Sequence, residues 1–261
     1  MMDRVSTAGI SPRKLLRSRR YRSASSARGK SFMTPGAILR EAVSTGTIQV
    51  PGAPNALVGR LIEEVGYQAC YLSGAAVSAG VLALPDVGLF SLTELVTQLE
   101  FLTARVAIPV IVDADTGFGD TLNVERSVAE LERAGAAAIQ LEDQESPKRC
   151  GHLSGKTLVS TDVMCRKLSA AIHARADDGT VIVARTDARG VDGFEAAVTR
   201  AAKYLDVGAD WIFPEALQSA DEFRQFRDAV DAPLVANMTE YGKSPLLDFG
   251  ELKELGYAAV L

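Results

Sequence analysis

Cysteine and histidine are scarce in this sequence, and their scarcity excludes two ways of holding a fold together. The 261 residues hold three cysteines, an odd number and too few for the disulfide framework of a small secreted protein. Neither of the two histidines has a His or Cys partner at a zinc-binding spacing, so we expect no zinc site. Each cysteine is therefore expected either to fill the core or to do chemistry, which predicts a reducing compartment, the cytoplasm.

Long apolar runs are missing as well. No apolar run approaches the roughly 18 residues that a membrane-spanning helix needs, so we expect no membrane partner. Apolar residues still make up 47% of the chain, which is enough for a sizeable core. The length suits two average domains, but it is also the usual size of a single α/β barrel.

Acidic residues are almost absent from residues 1–32. This head holds nine basic side chains against Asp3 alone, so it carries +8, and the rest of the chain carries −13 within the net charge of −5. Its serine-rich composition is typical of a disordered arm or of an organelle transit peptide. We favour a dispensable head, either an arm or a mis-called start with Met33 opening the protein. A transit peptide would instead direct the protein to the mitochondrial matrix. The acidic body would repel phosphate, so no nucleic-acid partner is expected.

Short β-branched apolar runs alternate with helical patterns from about residue 47 onward. The predicted strands are residues 47–50, 69–72, 110–113, 138–142, 181–185, 211–214, 234–237 and 258–261. The amphipathic stretches between them predict helices at residues 92–104, 123–134, 161–176, 193–206 and 220–230. Ser160 is a predicted N-cap, and Gly135 and Gly208 are predicted C-caps.

The arrangement of these elements predicts a fold. Continuous apolar strands are typical of a buried parallel sheet, and eight β/α units are the number that closes a TIM-type (β/α)8 barrel. A doubly wound open sheet is the alternative, but it would need a glycine-rich phosphate loop after its first strand, and residues 50–54 are not one. We therefore predict a single α/β barrel domain over residues 33–261.

Polar residues follow the predicted strands at the end where barrel enzymes carry their active sites. They are Tyr71 and Ser73, Asp113 and Asp115, Glu142, Arg185 and Asp187, Glu215, and Asn237 with Thr239. Surface loops are polar in any protein, but carboxylates at so many strand ends exceed that expectation. The sequence therefore predicts a site at this end of the barrel.

Four of these carboxylates suggest a metal ion. Asp113 and Asp115 are two residues apart, so an extended backbone points both carboxylates to the same side. Glu142 and Glu215 come from nearby strands, and hard oxygen donors of this kind suit Mg²⁺. An isolated Asp-x-Asp pair would more often cap a loop. Four converging carboxylates, however, require a positive partner.

The residues after the fourth predicted strand, Lys148-Arg149-Cys150-Gly151-His152, are called the cysteine loop (residues 148–152). Cations and an imidazole stabilise a thiolate, which allows Cys150 to exchange a proton near neutral pH. Gly151 permits a close approach of substrate. A solvated basic loop with an incidental cysteine and a papain-like Cys–His pair are the alternatives. A separation of two residues is no evidence for that pairing.

Taken together, the motifs resemble the isocitrate lyase / phosphoenolpyruvate mutase superfamily. They are YLSG at 71–74, DADTGFG at 113–119, EDQ at 142–144, KRCGH at 148–152, VARTD at 183–187, FPE at 213–215 and ANMT at 236–239. The resemblance covers residues 34–261 and is closest to the short bacterial 2-methylisocitrate lyases, because the mutase branch lacks the cysteine. It implies cleavage of 2-methylisocitrate, a small carboxylate substrate, to pyruvate and succinate by retro-aldol-type chemistry.

The resemblance also implies a cofactor and a catalytic set. Mg²⁺, with Mn²⁺ as a substitute, would be bound by Asp113, Asp115 and Glu142, with Asp86 close behind them. Cys150 as a thiol would give a proton to the succinate enolate, and the other implied catalytic residues are Tyr71, His152, Arg185 and Glu215. The proton acceptor for the substrate hydroxyl stays open between Tyr71, Glu215 and a hydroxide held by the metal.

Substrate contacts are implied in the same way. Ser73, Gly74 and Ala75 would hold the α-keto acid half, although the family commonly has a glycine where Ala75 stands. The succinate-side carboxylate would be bound by Asn237, Met238 and Thr239. Gly151, with Cys150, would contact the reacting centre, and Arg185 and Glu215 would position substrate and metal. Phe213 is consistent with a substrate that carries a methyl group, since isocitrate lyases typically have a tryptophan there.

The resemblance leaves two functional alternatives to a 2-methylisocitrate lyase. A sister lyase or hydrolase would act on oxaloacetate, dimethylmalate or isocitrate, and a truncated barrel would bind ligand without turnover.

Family members continue past strand eight with a Tyr-Pro segment, a carboxylate-binding arginine, an eighth helix and a C-terminal helical segment that packs on a neighbouring subunit. The sequence stops at Leu261, inside that strand. We therefore expect a fragment of a longer gene product, whose full-length form is a homo-oligomer.

Overall fold

The structure, a computed structural model, describes residues 33–261, and parallel strands alternate with helices along that part of the chain. The strands are β1 (Ile48–Gln49), β2 (Cys70–Leu72), β3 (Val110–Asp113), β4 (Ala138–Glu142), β5 (Val181–Thr186), β6 (Trp211–Pro214), β7 (Val235–Ala236) and β8 (Ala259–Val260). The predictions for residues 1–32 lie outside the described residues.

Helices and one short turn connect the strands. The helices are α1 (Pro35–Ser44), α2 (Ala56–Val65), α3 (Gly74–Gly80), α4 (Leu92–Thr103), α5 (Thr121–Arg133), α6 (Thr161–Ala174), α7 (Phe194–Asp206), α8 (Ala220–Ala229) and α9 (Phe249–Glu254), and a 3-10 turn spans Ala188–Gly190. In residues 33–261 none of these helices combines the length and apolar character needed to span a membrane.

The strands close into a ring. One continuous ladder runs β2-β3-β4-β5-β6, and a second runs β1-β8-β7, with every pairing parallel. Two parallel bridges, Gly52 with Tyr71 and Ile212 with Leu234, join the two ladders at their edges. The predicted (β/α)8 barrel is therefore confirmed, and β8 pairs with both of its expected neighbours.

Local sequence signals fix where several helices begin and end. The predicted N-cap Ser160 accepts a hydrogen bond from the Val163 amide at 3.3 Å and opens α6. Gly135 and Gly208 follow α5 and α7 in the left-handed region, with φ of 97° and 103°, as predicted for C-caps. Ser91 and Glu94 form a reciprocal capping box at the start of α4.

Alternation along the strands divides the core into two layers. The inner layer fills the barrel and includes Ile48, Val50, Tyr71, Ile111, Ala138, Val183, Trp211, Phe213 and Val235. The outer layer packs the strands against the helices and includes Leu72, Val112, Ile139, Ile182, Leu95, Leu99, Val128, Leu168 and Phe223. Both faces of β2 to β8 are buried, which explains the continuous apolar runs, whereas Gln49 of β1 is exposed.

The inner layer also determines which polar residues enter the mouth, the end of the barrel at the carboxyl ends of the strands. A side chain two positions beyond an inward residue points to the same side of the strand. The inward rows therefore continue from apolar side chains into Asp113, Glu142, Arg185, Glu215 and Asn237. Burial of the barrel interior and placement of the polar side chains in the mouth follow from the same alternation.

Candidate active site

Three buried carboxylates lie together at the mouth. Oxygen atoms of Asp113, Asp115 and Glu142 lie within 4.8 Å of one another. The Asp113 carboxylate is held by the Gly74 amide at 3.1 Å and by the Asp115 amide at 3.2 Å. Asp115 has a φ of 46°, in the left-handed region that few non-glycine residues adopt, and this conformation turns the chain at the end of β3.

Burial and the neighbouring carboxylates disfavour negative charge in this cluster. Burial, and then the neighbouring Asp113, raise the pKa of Asp115 from 3.8 to about 7, although Lys148 acts in the opposite direction. Burial also raises the pKa of Glu142 well above its usual value, and Asp187 and Asp115 reinforce the shift against the effect of Arg185. Carboxylates in this state favour either a proton or a cation.

The cluster fits a magnesium ion. Among the described residues, Oε1 of Glu142 is buried and has no hydrogen-bond partner, so one oxygen of the cluster is left for a ligand. The donors are all hard carboxylate oxygens, which Mg²⁺ prefers. Asp113, Asp115 and Glu142 are the residues that could hold the ion.

Lys148 links the cluster to two loops. Its ammonium contacts the Asp86 carboxylate and lies 2.9 Å from Oδ1 of Asp115. Burial lowers the pKa of Lys148, but Asp115 and Asp113 outweigh burial and raise it, so the side chain stays charged. Asp86 therefore reaches the carboxylate cluster through Lys148.

Arg185 lies in the middle of the mouth and contacts carboxylates on three sides. Its guanidinium donates to Asp187 at 3.0 and 3.2 Å, and it lies 3.4 Å from Glu142 and 3.1 Å from Glu215. Its guanidinium carbon is 5.4 Å from the centre of the Phe213 ring. A buried arginine with this arrangement offers positive charge to an anionic substrate.

Glu215 is ionised at neutral pH. Burial opposes its charge, but Arg185 and then His152 outweigh burial and lower the pKa of Glu215 from 4.5 to about 2. Nε2 of His152 lies 3.0 Å from Oε1 of Glu215. The Lys243 amide donates to Nδ1 of His152 at 2.9 Å, so Nδ1 is an acceptor and Nε2 carries the hydrogen that points at Glu215.

The cysteine loop packs directly on this ion-paired group. A Cβ added to Gly151 would lie 2.3 Å from Nη2 of Arg185 and 2.6 Å from Cδ of Glu215, so only glycine fits there. Cys150 is partly exposed and precedes this contact. Gln144 holds the base of the loop through two hydrogen bonds with the Arg149 backbone, at 2.8 and 2.9 Å.

The remaining predicted substrate residues are spread around the mouth. Ser73 caps α3 by accepting from the Ala76 amide at 3.3 Å, and Ala75 follows on the same first turn. Asn237 lies 3.5 Å from both Glu215 oxygens and accepts a hydrogen bond from Thr239 at 2.8 Å. The sulfur of Met238 accepts a hydrogen bond from the Leu247 amide at 3.4 Å.

Tyr71 is close to the site but engaged elsewhere. Its hydroxyl donates to Oε1 of Gln140 at 3.0 Å. Burial, and then the nearby Asp113, raise the pKa of Tyr71 well above its usual value, so the phenol stays protonated. The other cysteines lie away from the mouth: Cys70 is buried in β2, where burial raises its pKa to about 12, and Cys165 lies on α6.

Sequence reasoning missed three residues that support the site. They are Gln140, Lys156 and Lys243. Gln140 lies on β4 two residues before Glu142, so it points to the same inward side, and strand alternation could have found it. Lys156 and Lys243 act from loops whose approach depends on tertiary structure, and no sequence signal pointed to either.

Comparison with known proteins agrees with the fold. The family profile described as phosphoenolpyruvate phosphomutase matches residues 39–261. The parallel barrel, its buried carboxylates and its matching sequence define the class: the chain belongs to the phosphoenolpyruvate mutase/isocitrate lyase superfamily. Within that superfamily it groups with carbon–carbon lyases of the 2-methylisocitrate lyase type.

Three similar proteins illustrate this placement. The 2-methylisocitrate lyase of Aeropyrum pernix is 56% identical over 228 residues, which are 87% of this chain and 73% of that protein. A crystal structure of 2,3-dimethylmalate lyase matches with a TM-score of 0.83 and 36% identity, over 88% of this chain and 78% of that one. Phosphonopyruvate hydrolase, crystallised with oxalate and Mg²⁺, matches with a TM-score of 0.78 and 33% identity, over 87% and 80%.

Proposed function

We propose that this protein cleaves 2-methylisocitrate into pyruvate and succinate. The observation that carries the proposal is the contact of Gly151 with Arg185 and Glu215, which brings the cysteine loop to the same mouth as the buried carboxylates. The 56% identity to a 2-methylisocitrate lyase supports this substrate.

A divalent cation belongs to this proposal. Asp113, Asp115 and Glu142 would hold Mg²⁺ or Mn²⁺, and Glu142 has the free oxygen that such a ligand needs. When bound, the ion stabilises negative charge on the hydroxy-acid part of the substrate. The relative crystallised with oxalate and Mg²⁺ supports a metal in this superfamily.

The proposed reaction needs a proton acceptor for the substrate hydroxyl. Glu215 is ionised at neutral pH. Tyr71, in contrast, stays protonated, and its O–H group donates a hydrogen bond to Gln140. We therefore prefer Glu215 to Tyr71 as the acceptor. The Nε2–H group of His152 points at Glu215 and would keep the carboxylate in position.

Cleavage leaves the electron pair of the broken bond on the succinate fragment. As the C2–C3 bond breaks, its electrons move to C3, and the hydroxyl oxygen becomes the keto oxygen of pyruvate. We assign the proton that C3 receives to the thiol of Cys150. Arg185 and Arg149 would provide the positive field that the enolate requires, because charge develops there only as the bond breaks.

The ends of the substrate would be held on either side of the reacting bond. Ser73, Gly74 and Ala75 are proposed for the keto-acid half, and Asn237, Met238 and Thr239 for the succinate half. The Gly74 amide already donates to Asp113, so its part in binding would be to hold that carboxylate. The side chains of Asn237 and Thr239 lie at the edge of the mouth.

The likeness to 2,3-dimethylmalate lyase favours one second candidate, cleavage of a dimethylmalate-type acid. Product analysis separates the two candidates. Purified protein with Mg²⁺ is incubated separately with 2-methylisocitrate, dimethylmalate, oxaloacetate and isocitrate, and the products are identified by chromatography. Pyruvate and succinate in equal amounts from 2-methylisocitrate are expected. Turnover of another acid alone would refute the proposed substrate.

A further inference from the structure

Lys156 is a buried cation that the proposed mechanism does not use. Its side chain is 2% exposed, and its ammonium lies 2.6 Å from Oδ1 of Asp187. The same ammonium donates to the backbone carbonyl of Gly151. One buried charge thus connects the loop that carries Cys150 to the end of β5.

The Asp187 end of this connection is fixed in the barrel. Asp187 is fully buried, its amide donates to Asp143 at 2.9 Å, and both of its oxygens accept from Arg185. Asp187 therefore does not move independently of the barrel wall. Lys156 therefore holds the Gly151 carbonyl in place relative to Asp187, and Gly151 is the residue next to Cys150.

The Gly151 end of this connection is tightly packed. Gly151 already lies against Arg185 and Glu215, so a small shift of its backbone would either collide with them or open a gap. A buried charged hydrogen bond is stronger than a neutral one and leaves an unpaired charge when it is broken. Loss of the Lys156 ammonium would therefore release the loop at the residue next to Cys150.

We infer that Lys156 is a positioning residue, which holds Cys150 at the reacting centre by tying the Gly151 carbonyl to Asp187. This inference rests on the proposed function for its effect on turnover. The contact itself, between a loop carbonyl and a buried carboxylate, does not depend on which acid is cleaved.

The test compares Lys156→Met and Lys156→Gln with the parent protein, all in a Cys165→Ser background. Iodoacetamide labels the thiols, and peptide mass spectrometry gives the rate at Cys150; Cys70 is buried. Because the lost bond is to a charged group, we expect Cys150 to be labelled about 10-fold faster in Lys156→Met. Lys156→Gln keeps an uncharged donor on a side chain that is one bond shorter, so its rate should fall between the two.

A matched control separates this effect from general loosening. Lys167 is another buried lysine that donates to a backbone carbonyl, that of Thr116 at 2.9 Å, on the loop that carries Asp115. Lys167→Met should leave the labelling rate of Cys150 at the parent value.

Turnover provides the second readout. With the acid that the protein cleaves, Lys156→Met should lower kcat by about 100-fold with KM changed far less, since a displaced catalytic group affects the chemical step. Parent labelling rates in both Lys156 variants, or faster labelling with an unchanged kcat, would overturn the inference. Failure to cleave 2-methylisocitrate would refute the proposed substrate alone, because labelling needs no substrate.

Discussion

Gly151 and the guanidinium of Arg185 are so close that a Cβ at residue 151 would lie 2.3 Å from Nη2. We predict that Gly151→Ala displaces the cysteine loop and lowers kcat by about 100-fold, because a misplacement of about 1 Å has that effect on a positioned catalytic group. The melting temperature should change little, since the loop lies outside the strand ladders. Steady-state kinetics and thermal unfolding measure the two effects.

Gly80→Ala is the control for this substitution. A Cβ at Gly80 would meet only Pro54, at an ordinary 3.8 Å, so kcat should stay at the wild-type value. Wild-type kcat in Gly151→Ala would contradict the close packing of the loop on Arg185.

The barrel could be predicted from the sequence because its strands β2 to β8 are buried on both faces. Continuous apolar runs marked each strand, and Ser160, Gly135 and Gly208 marked helix ends as predicted. The helices α1, α2, α3 and α9 were not among the predicted helices, although Thr34 with Pro35 opens α1 and Asn55 and Gly66 bound α2. α3 is built of glycine, alanine, serine and valine without an apolar stripe, and α9 has only six residues, less than two turns.

Strand alternation predicts only those site residues that lie on the strands or directly after them. Position along the strands brings Asp113, Glu142, Arg185 and Glu215 to one mouth, and their clustering follows from the parallel barrel. The partners of His152 and Lys156 could not be predicted, because the loops that supply them meet through tertiary packing. The Lys243 amide that orients His152 is 91 residues away in sequence.

The raised pKa of Asp115 predicts a pH-dependent affinity for Mg²⁺. The folded pKa of about 7 exceeds the usual 3.8, so the metal-free protein holds a proton there and loses stability as pH rises between these values. Mg²⁺ competes with that proton. Its affinity should therefore rise by up to about tenfold per pH unit below pH 7 and level off above it.

Isothermal titration calorimetry at several pH values measures this dependence. Asp115→Asn has no proton to lose at this position, so its weaker Mg²⁺ binding should rise less steeply between about pH 6 and about pH 7, where Glu142 still exchanges a proton for the ion. An affinity that stays constant through this range in the wild-type protein would argue against a shared site for the proton and the ion.

Glu142→Gln should have opposite effects with and without metal. Without metal, the variant removes a buried carboxylate whose charge is disfavoured, so its melting temperature should rise. With Mg²⁺ at about 100 times its Kd, the wild-type protein should gain about 2.7 kcal/mol of stability, and the variant much less. Thermal unfolding with and without Mg²⁺ measures both effects.

Exposed Glu41 supplies the control for this pair of effects. Glu41→Gln should leave both melting temperatures unchanged, because Glu41 lies on α1, away from the mouth. Equal stabilisation of wild type and Glu142→Gln by Mg²⁺ would remove Glu142 from the proposed metal site.

Cys150→Ser separates proton donation from metal binding. A hydroxyl is a much weaker acid than a thiol, so the enolate would lose its donor and turnover should fall to background. The Mg²⁺-dependent rise in melting temperature should match the wild type, since Cys150 is not among the clustered carboxylates. Cys165→Ser on α6 is the matched control and should keep full turnover. If Cys150→Ser retains wild-type activity, another group must give the proton to C3.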